Sequence, residues 1–91
     1  MSREDLYSKS PKKVVFYSKT WCPDCHRART VLSAHNIPFM DVDISKDAHA
    51  RDFVKQLNHG NESVPTIIFP DGTCLVEPKN SALEFKIKNF S

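Results

Sequence analysis

A chain of 91 residues, 40% hydrophobic and 26% charged, has the makings of one globular domain with a single modest core, which excludes the disordered and fibrous classes. Thirteen Lys and Arg against eleven Asp and Glu leave a net charge of only +2, too little and too evenly spread to argue for nucleic acid. No apolar run nears the ~18 residues of a membrane span, and "MSREDLYSKSPKK" has no apolar signal region. The expectation is a cytosolic chain, where structural disulfides are rare, so its three cysteines read as reactive thiols.

Residues 1–11 are polar up to Pro11 and read as a loose tail, leaving residues 12–91 as the domain. "VVFYS", residues 14–18, is a continuous β-branched and aromatic run, the pattern of a central parallel strand covered on both faces. Pro23 suits a first helical turn, where its missing N–H has no intrahelical partner. A helix is expected from there to about Asn36, with Ala28, Val31, Leu32 and His35 on one stripe and Arg27 and Arg29 off it. In "IPFMDVDI" Met40, Val42 and Ile44 alternate with Asp41 and Asp43, the period of a strand with one wetter face.

Ser45 is placed to cap a second helix, with Ala50, Phe53, Val54 and Leu57 on its apolar face and Gly60 as its stop. "VPTIIF" predicts a third strand, "PDG" a turn and "TCLV" an antiparallel fourth strand. From Ser81, Leu83, Ile87 and Phe90 mark a last helix. The order β-α-β-α-β-β-α predicts an α/β fold. The right-handed β-α-β crossover gives a parallel pair, and the final turn an antiparallel hairpin. A four-stranded mixed sheet with helices on both faces follows.

"WCPDCH", residues 21–26, is compatible with haem attachment, half of a zinc knuckle, or a redox dithiol. Haem would need export and a distal ligand, and Met40 sits in a predicted strand. Zinc would need four ligands, whereas Cys74 is the only other sulfur thiol and His26, His35, His49 and His59 are scattered. The dithiol reading uses its surroundings. Cys22 lies where a strand gives way to a helix, whose unpaired N–H groups and dipole favour a thiolate. Cys25 follows one turn deeper, within reach of the first sulfur to resolve a mixed disulfide. Metal is not expected at this site. Cys74 reads as a small, partly buried strand residue, or else as a site of regulatory oxidation.

"YSKTWCPDC" followed by "SVPTIIFPDG" resembles the glutaredoxins, and with "LVEP" it is most similar to their mycoredoxin-like branch, over about residues 12–90. The resemblance implies a thioredoxin-like fold, Cys22 as nucleophile and Cys25 as resolving thiol. It implies a cis bond before Pro65, with Pro65 facing the Cys22 sulfur and the Val64 backbone pairing with a bound thiol peptide by strand addition. Lys19 matches the family lysine that holds a ligand carboxylate, while Trp21 and Pro23 would form an apolar rim beside the thiol. Pro23 also argues against an iron–sulfur cluster, since cluster binders of the family tend to carry Gly or Ser there.

Two departures stand out. Tight glutathione binders have Gly-Gly and an acidic residue after the fourth strand. Here the stretch is Val76-Glu77-Pro78-Lys79-Asn80, and Lys79 would repel an incoming ammonium. Asp24 stands between the cysteines where an aromatic residue is common, disfavouring a second negative charge so close by. His26, Arg27 and Arg29 are the basic residues able to offset it.

The implied function is a monomeric dithiol thiol–disulfide oxidoreductase acting on oxidised or thiolated proteins. It would hold no bound cofactor, use glutathione or mycothiol as co-substrate, and be recharged by a small-thiol or thioredoxin reductase system. A directly recharged thioredoxin-like reductase is the alternative, and a non-enzymatic zinc or iron–sulfur module a further one.

Overall fold

A computed structural model describes residues 11–89. Strands β1 (Val14–Ser18), β2 (Phe39–Asp43), β3 (Thr66–Ile68) and β4 (Cys74–Val76) form one sheet in the order β2-β1-β3-β4. β1 runs parallel to β2 and antiparallel to β3, and β3 runs antiparallel to β4. Every residue of β1 is buried, as its unbroken apolar run requires of a strand flanked on both edges and covered on both faces.

The strand period of two sorts the sheet's side chains into two layers. Val14, Phe16 and Ile67 point to one face and pack under helices α1 (Pro23–Ala34) and α3 (Asn80–Asn89), against Cys25, Ala28, Leu32, Leu83 and Ile87. Val15, Tyr17, Val42 and Ile68 point to the other and pack under α2 (Ala48–Leu57), against Ala50 and Val54, with Met40, Phe53 and Leu57 half-buried at the edge. The α/β order and the mixed sheet with helices on both faces are as the sequence predicts.

Local details differ, each for a visible reason. Ser45 does not cap α2. The cap is Asp47, whose carboxylate accepts the Ala50 N–H at 3.0 Å, while Ser45 is taken by Asp43. His35 is exposed beyond the end of α1, which stops at Ala34. There Asn36 turns left-handed (φ 56°) and the Ile37 N–H reaches back to the Leu32 carbonyl at 3.0 Å. α2 ends the same way, with His59 (φ 55°) taking the left-handed position and the Gly60 N–H bonding to the Lys55 carbonyl at 2.7 Å, the six-to-one bond of a Schellman motif. Gly60 therefore seals the stop from one residue further on.

The hairpin turn holds Gly72 at φ 89°. Cys74 is exposed rather than partly buried, because β4 is a three-residue edge strand. Of the expected tail, residues 1–10 lie outside the described residues, and Pro11 is buried. Phe90 lies outside them as well.

Candidate active site

The chain leaves the sheet at Ser18 and enters α1 after four residues, so whatever caps α1 stands at the C-terminal edge of β1. That residue is Cys22. Its extended backbone (φ −145°, ψ 101°) gives way to Pro23 in the first turn, and its sulfur accepts the Cys25 N–H at 3.1 Å. A cysteine thus fills the capping role of Ser or Asp, with its sulfur at the N-terminal end of the helix.

Cys22 is half-buried and Cys25 fully buried. Burial pushes the Cys25 thiol up to about 12, helped by its hydrogen bond to Cys22 and opposed by one from the Lys19 backbone. The two sulfurs thus have different roles by environment: one is reachable from solvent, the other is held protonated behind it.

A cleft of about 450 Å³ opens beside Cys22, walled by Lys19, Thr20, Trp21, Pro23, His26 and Arg29. Trp21 is 94% exposed at its rim. Lys19, Trp21, Pro23 and His26, singled out from sequence, are therefore brought together with the nucleophile candidate. Asp24 is not part of the wall. Its carboxylate faces Arg27 at 3.4 Å, and Arg27 also donates to Asn80 Oδ1 at 2.5 Å and to the Pro78 carbonyl at 3.4 Å. Arg27 thus ties the motif to the turn before α3 and answers the Asp24 charge, while Arg29 is committed elsewhere.

The Val64–Pro65 peptide is cis. Pro65 is buried, and Val64 packs, like Cys22, at the edge of the core beneath α1. The Pro65 carbonyl accepts the Glu77 N–H at 2.8 Å, whereas the Val64 N–H and carbonyl hold no hydrogen bond among the described residues. Lys19 pairs with Glu62 at 3.6 Å, joining the loop before Cys22 to the segment before Pro65. Lys79 is exposed and makes no ion pair among the described residues.

Sequence reasoning gave no site role to Thr20 or to the two aspartates of β2, and it set Arg29 against Asp24 where the structure pairs it with Asp41. Arg29 donates to Asp41 at 2.6 Å and lies over the Phe16 ring at 5.3 Å; Asp41 also accepts from buried Ser18 at 2.8 Å. The available signal was spacing. Arg29 is four residues after Cys25 and so on the same helix face. Among the described residues, no three His, Cys, Asp or Glu side chains converge as a set of metal ligands.

A protein-family model described as Glutaredoxin matches residues 14–75, which spans β1 through the start of β4 and contains both cysteines of the motif. The chain belongs to the glutaredoxin family. A protein of Mycobacterium tuberculosis named as a glutaredoxin is 41% identical over 75 residues, covering 82% of this chain and 87% of that one. Mycoredoxin 1 of Corynebacterium glutamicum is 35% identical over 75 residues, covering 82% and 92%. Among solved structures, a glutaredoxin of Archaeoglobus fulgidus has a TM-score of 0.73 at 23% identity, covering 97% of this chain and 99% of that one, a likeness of fold.

This glutaredoxin therefore has the thioredoxin-like architecture, with its dithiol at the N-terminus of α1. Thiol–disulfide oxidoreduction is the chemistry of the family. Among the described residues no helix is long and apolar enough to cross a membrane.

Proposed function

We propose that this glutaredoxin is a dithiol oxidoreductase that reduces protein disulfides and mixed disulfides between proteins and a small thiol. One observation carries the reading: Cys22 caps α1 at the mouth of a cleft, with Cys25 buried behind it and its N–H on the Cys22 sulfur. The Cys22 thiolate attacks one substrate sulfur, the substrate S–S bond breaks, and the departing thiolate takes a proton from water. Cys25 then attacks the Cys22 sulfur and gives its proton to the second departing thiolate. The substrate has gained two electrons, and the enzyme is left as a Cys22–Cys25 disulfide.

Lys19, Trp21 and Pro23 receive the substrate in the cleft, and the Val64 backbone, without a hydrogen bond among the described residues, offers a strand-like pairing edge beside Pro65. His26 lies on the cleft wall and Asp24 is answered by Arg27, so the charge environment of Cys22 is set by both. Mycothiol is favoured over glutathione as the small thiol. Lys79, exposed after β4, stands in the sequence where tight glutathione binders carry an acidic residue and would repel glutathione's ammonium, and a relative carries the name Mycoredoxin 1. Both reacting sulfurs belong to one chain, so a monomer suffices, and a reducing cytoplasm supplies the electrons. No bound cofactor takes part.

Cys22→Ser should abolish turnover, whereas Cys25→Ser should accumulate a substrate mixed disulfide on Cys22, seen as added mass. Wild-type turnover by the Cys22 variant would end this reading. Supplying mycothiol with its reductase, glutathione with its reductase, or a thioredoxin reductase with NADPH to the oxidised protein then identifies the electron source.

A further inference from the structure

The stretch Lys19-Thr20-Trp21 carries the nucleophile, and the backbone ladder stops just before it. β1 ends with Ser18 opposite Asp43, and the Ile44 N–H donates to the Ser18 carbonyl at 2.8 Å. Beyond that point side chains secure the loop. Thr20 donates its hydroxyl to Asp43 Oδ2 at 2.6 Å. The other carboxylate oxygen, Oδ1, accepts the Ser45 N–H at 2.9 Å and the Ser45 hydroxyl.

The Asp43 carboxylate is thus fixed by Ser45 on one side and aimed at Thr20 on the other. A charge-assisted acceptor already held in place loses little freedom when the hydroxyl binds. Burial alone would raise the Asp43 carboxyl, but the hydrogen bonds from Ser45 and Thr20 outweigh it and hold it lowered. Thr20 sits between the two residues that meet the dithiol. Lys19 hydrogen bonds to the Cys25 thiol through its backbone, and Trp21 leads directly into Cys22.

We propose that Asp43, acting through Thr20, is a positioning residue for both thiols of the motif. The carboxylate–hydroxyl clamp sets the loop on which Cys22 is presented and the Lys19 backbone is brought to Cys25. Neither Asp43 nor Thr20 touches a reacting sulfur, so their effect is on placement. Small displacements of reacting groups cost rate steeply. The inference rests on Cys22 and Cys25 being the exchanging pair.

The test compares wild type, Thr20→Val, Thr20→Ser and Asp43→Asn in the full chain. It measures the single-mixing rate of the reduced protein with dithiobis-nitrobenzoate, the rate at which Cys25 closes the mixed disulfide on Cys22, and Tm. Thr20→Val should slow both rates roughly tenfold with Tm unchanged, and Thr20→Ser should restore them to within about twofold because it returns the hydroxyl. Asp43→Asn should fall between, since its amide oxygen still accepts but carries no charge. Wild-type rates in Thr20→Val, or losses that follow Tm and are not rescued by Ser, would overturn the clamp. A wild-type chain that reacts with the aromatic disulfide but reduces no protein disulfide would defeat the proposed function alone, leaving the clamp to be judged on the rates.

Discussion

Iodoacetamide should separate the two thiols of the motif, because the fold places them in unlike surroundings. Cys25 is fully buried and its thiol is pushed from the ordinary 9.0 up to about 12, first by burial and then by its hydrogen bond to Cys22. At a pH near 8, moving from 9.0 to about 12 cuts the reactive thiolate fraction by about a thousandfold, before steric exclusion is counted. Cys22→Ser removes the contribution of the neighbouring sulfur but leaves burial in place. In that variant native Cys25 should still react at least about a hundredfold more slowly than in the urea-unfolded chain. Peptide mapping by mass spectrometry after timed alkylation reads both rates. Equal rates for native and unfolded Cys25 would refute the reasoning. The same shift has a stability consequence: a thiol raised by folding contributes stability that is complete below 9.0 and lost as the pH climbs to about 12. Cys25→Ala should lack that alkaline loss in urea titrations.

Leu32 is fully buried between α1 and the sheet, so Leu32→Ala should cost about 2–5 kcal/mol in urea unfolding. Asp47→Ala removes the cap of α2 and should cost about 1 kcal/mol by the same measurement. Asp71 is held at about 2 by hydrogen bonds from Lys86 and then from the Thr73 backbone. A lowered carboxyl contributes stability that is present above its ordinary 3.8 and lost as the pH falls to about 2. Asp71→Asn should therefore flatten the acid limb of the stability curve, and an unchanged limb would count against the pairing.

The chain's local patterns were enough to place most elements and the motif on them. The unbroken run Val14–Ser18 reads as a strand buried on both faces, and it is one of the two inner strands of the sheet. Pro23 after Cys22 marks a helix start, and Cys22 caps it. These are readable because backbone hydrogen bonding and side-chain period act within a few residues. Neither period nor composition says which surfaces meet. That β3 pairs with β1, that Asp43 rather than solvent receives Thr20, and that Arg27 reaches Asn80 are contacts spanning many residues.

Competition among near neighbours also hides detail. Ser45 has the chemistry of a cap, yet Asp43 claims its N–H and Asp47 caps α2 instead. The sequence by itself determined a dithiol at a strand-to-helix turn in a β-α-β chain. Only the tertiary structure decided that one sulfur faces a cleft while the other is buried behind it, because burial and the Lys19 contact exist once α1 has packed on the sheet. The reactivity of a thiol is a property of the medium around it, and that medium is assembled from residues far apart in the chain.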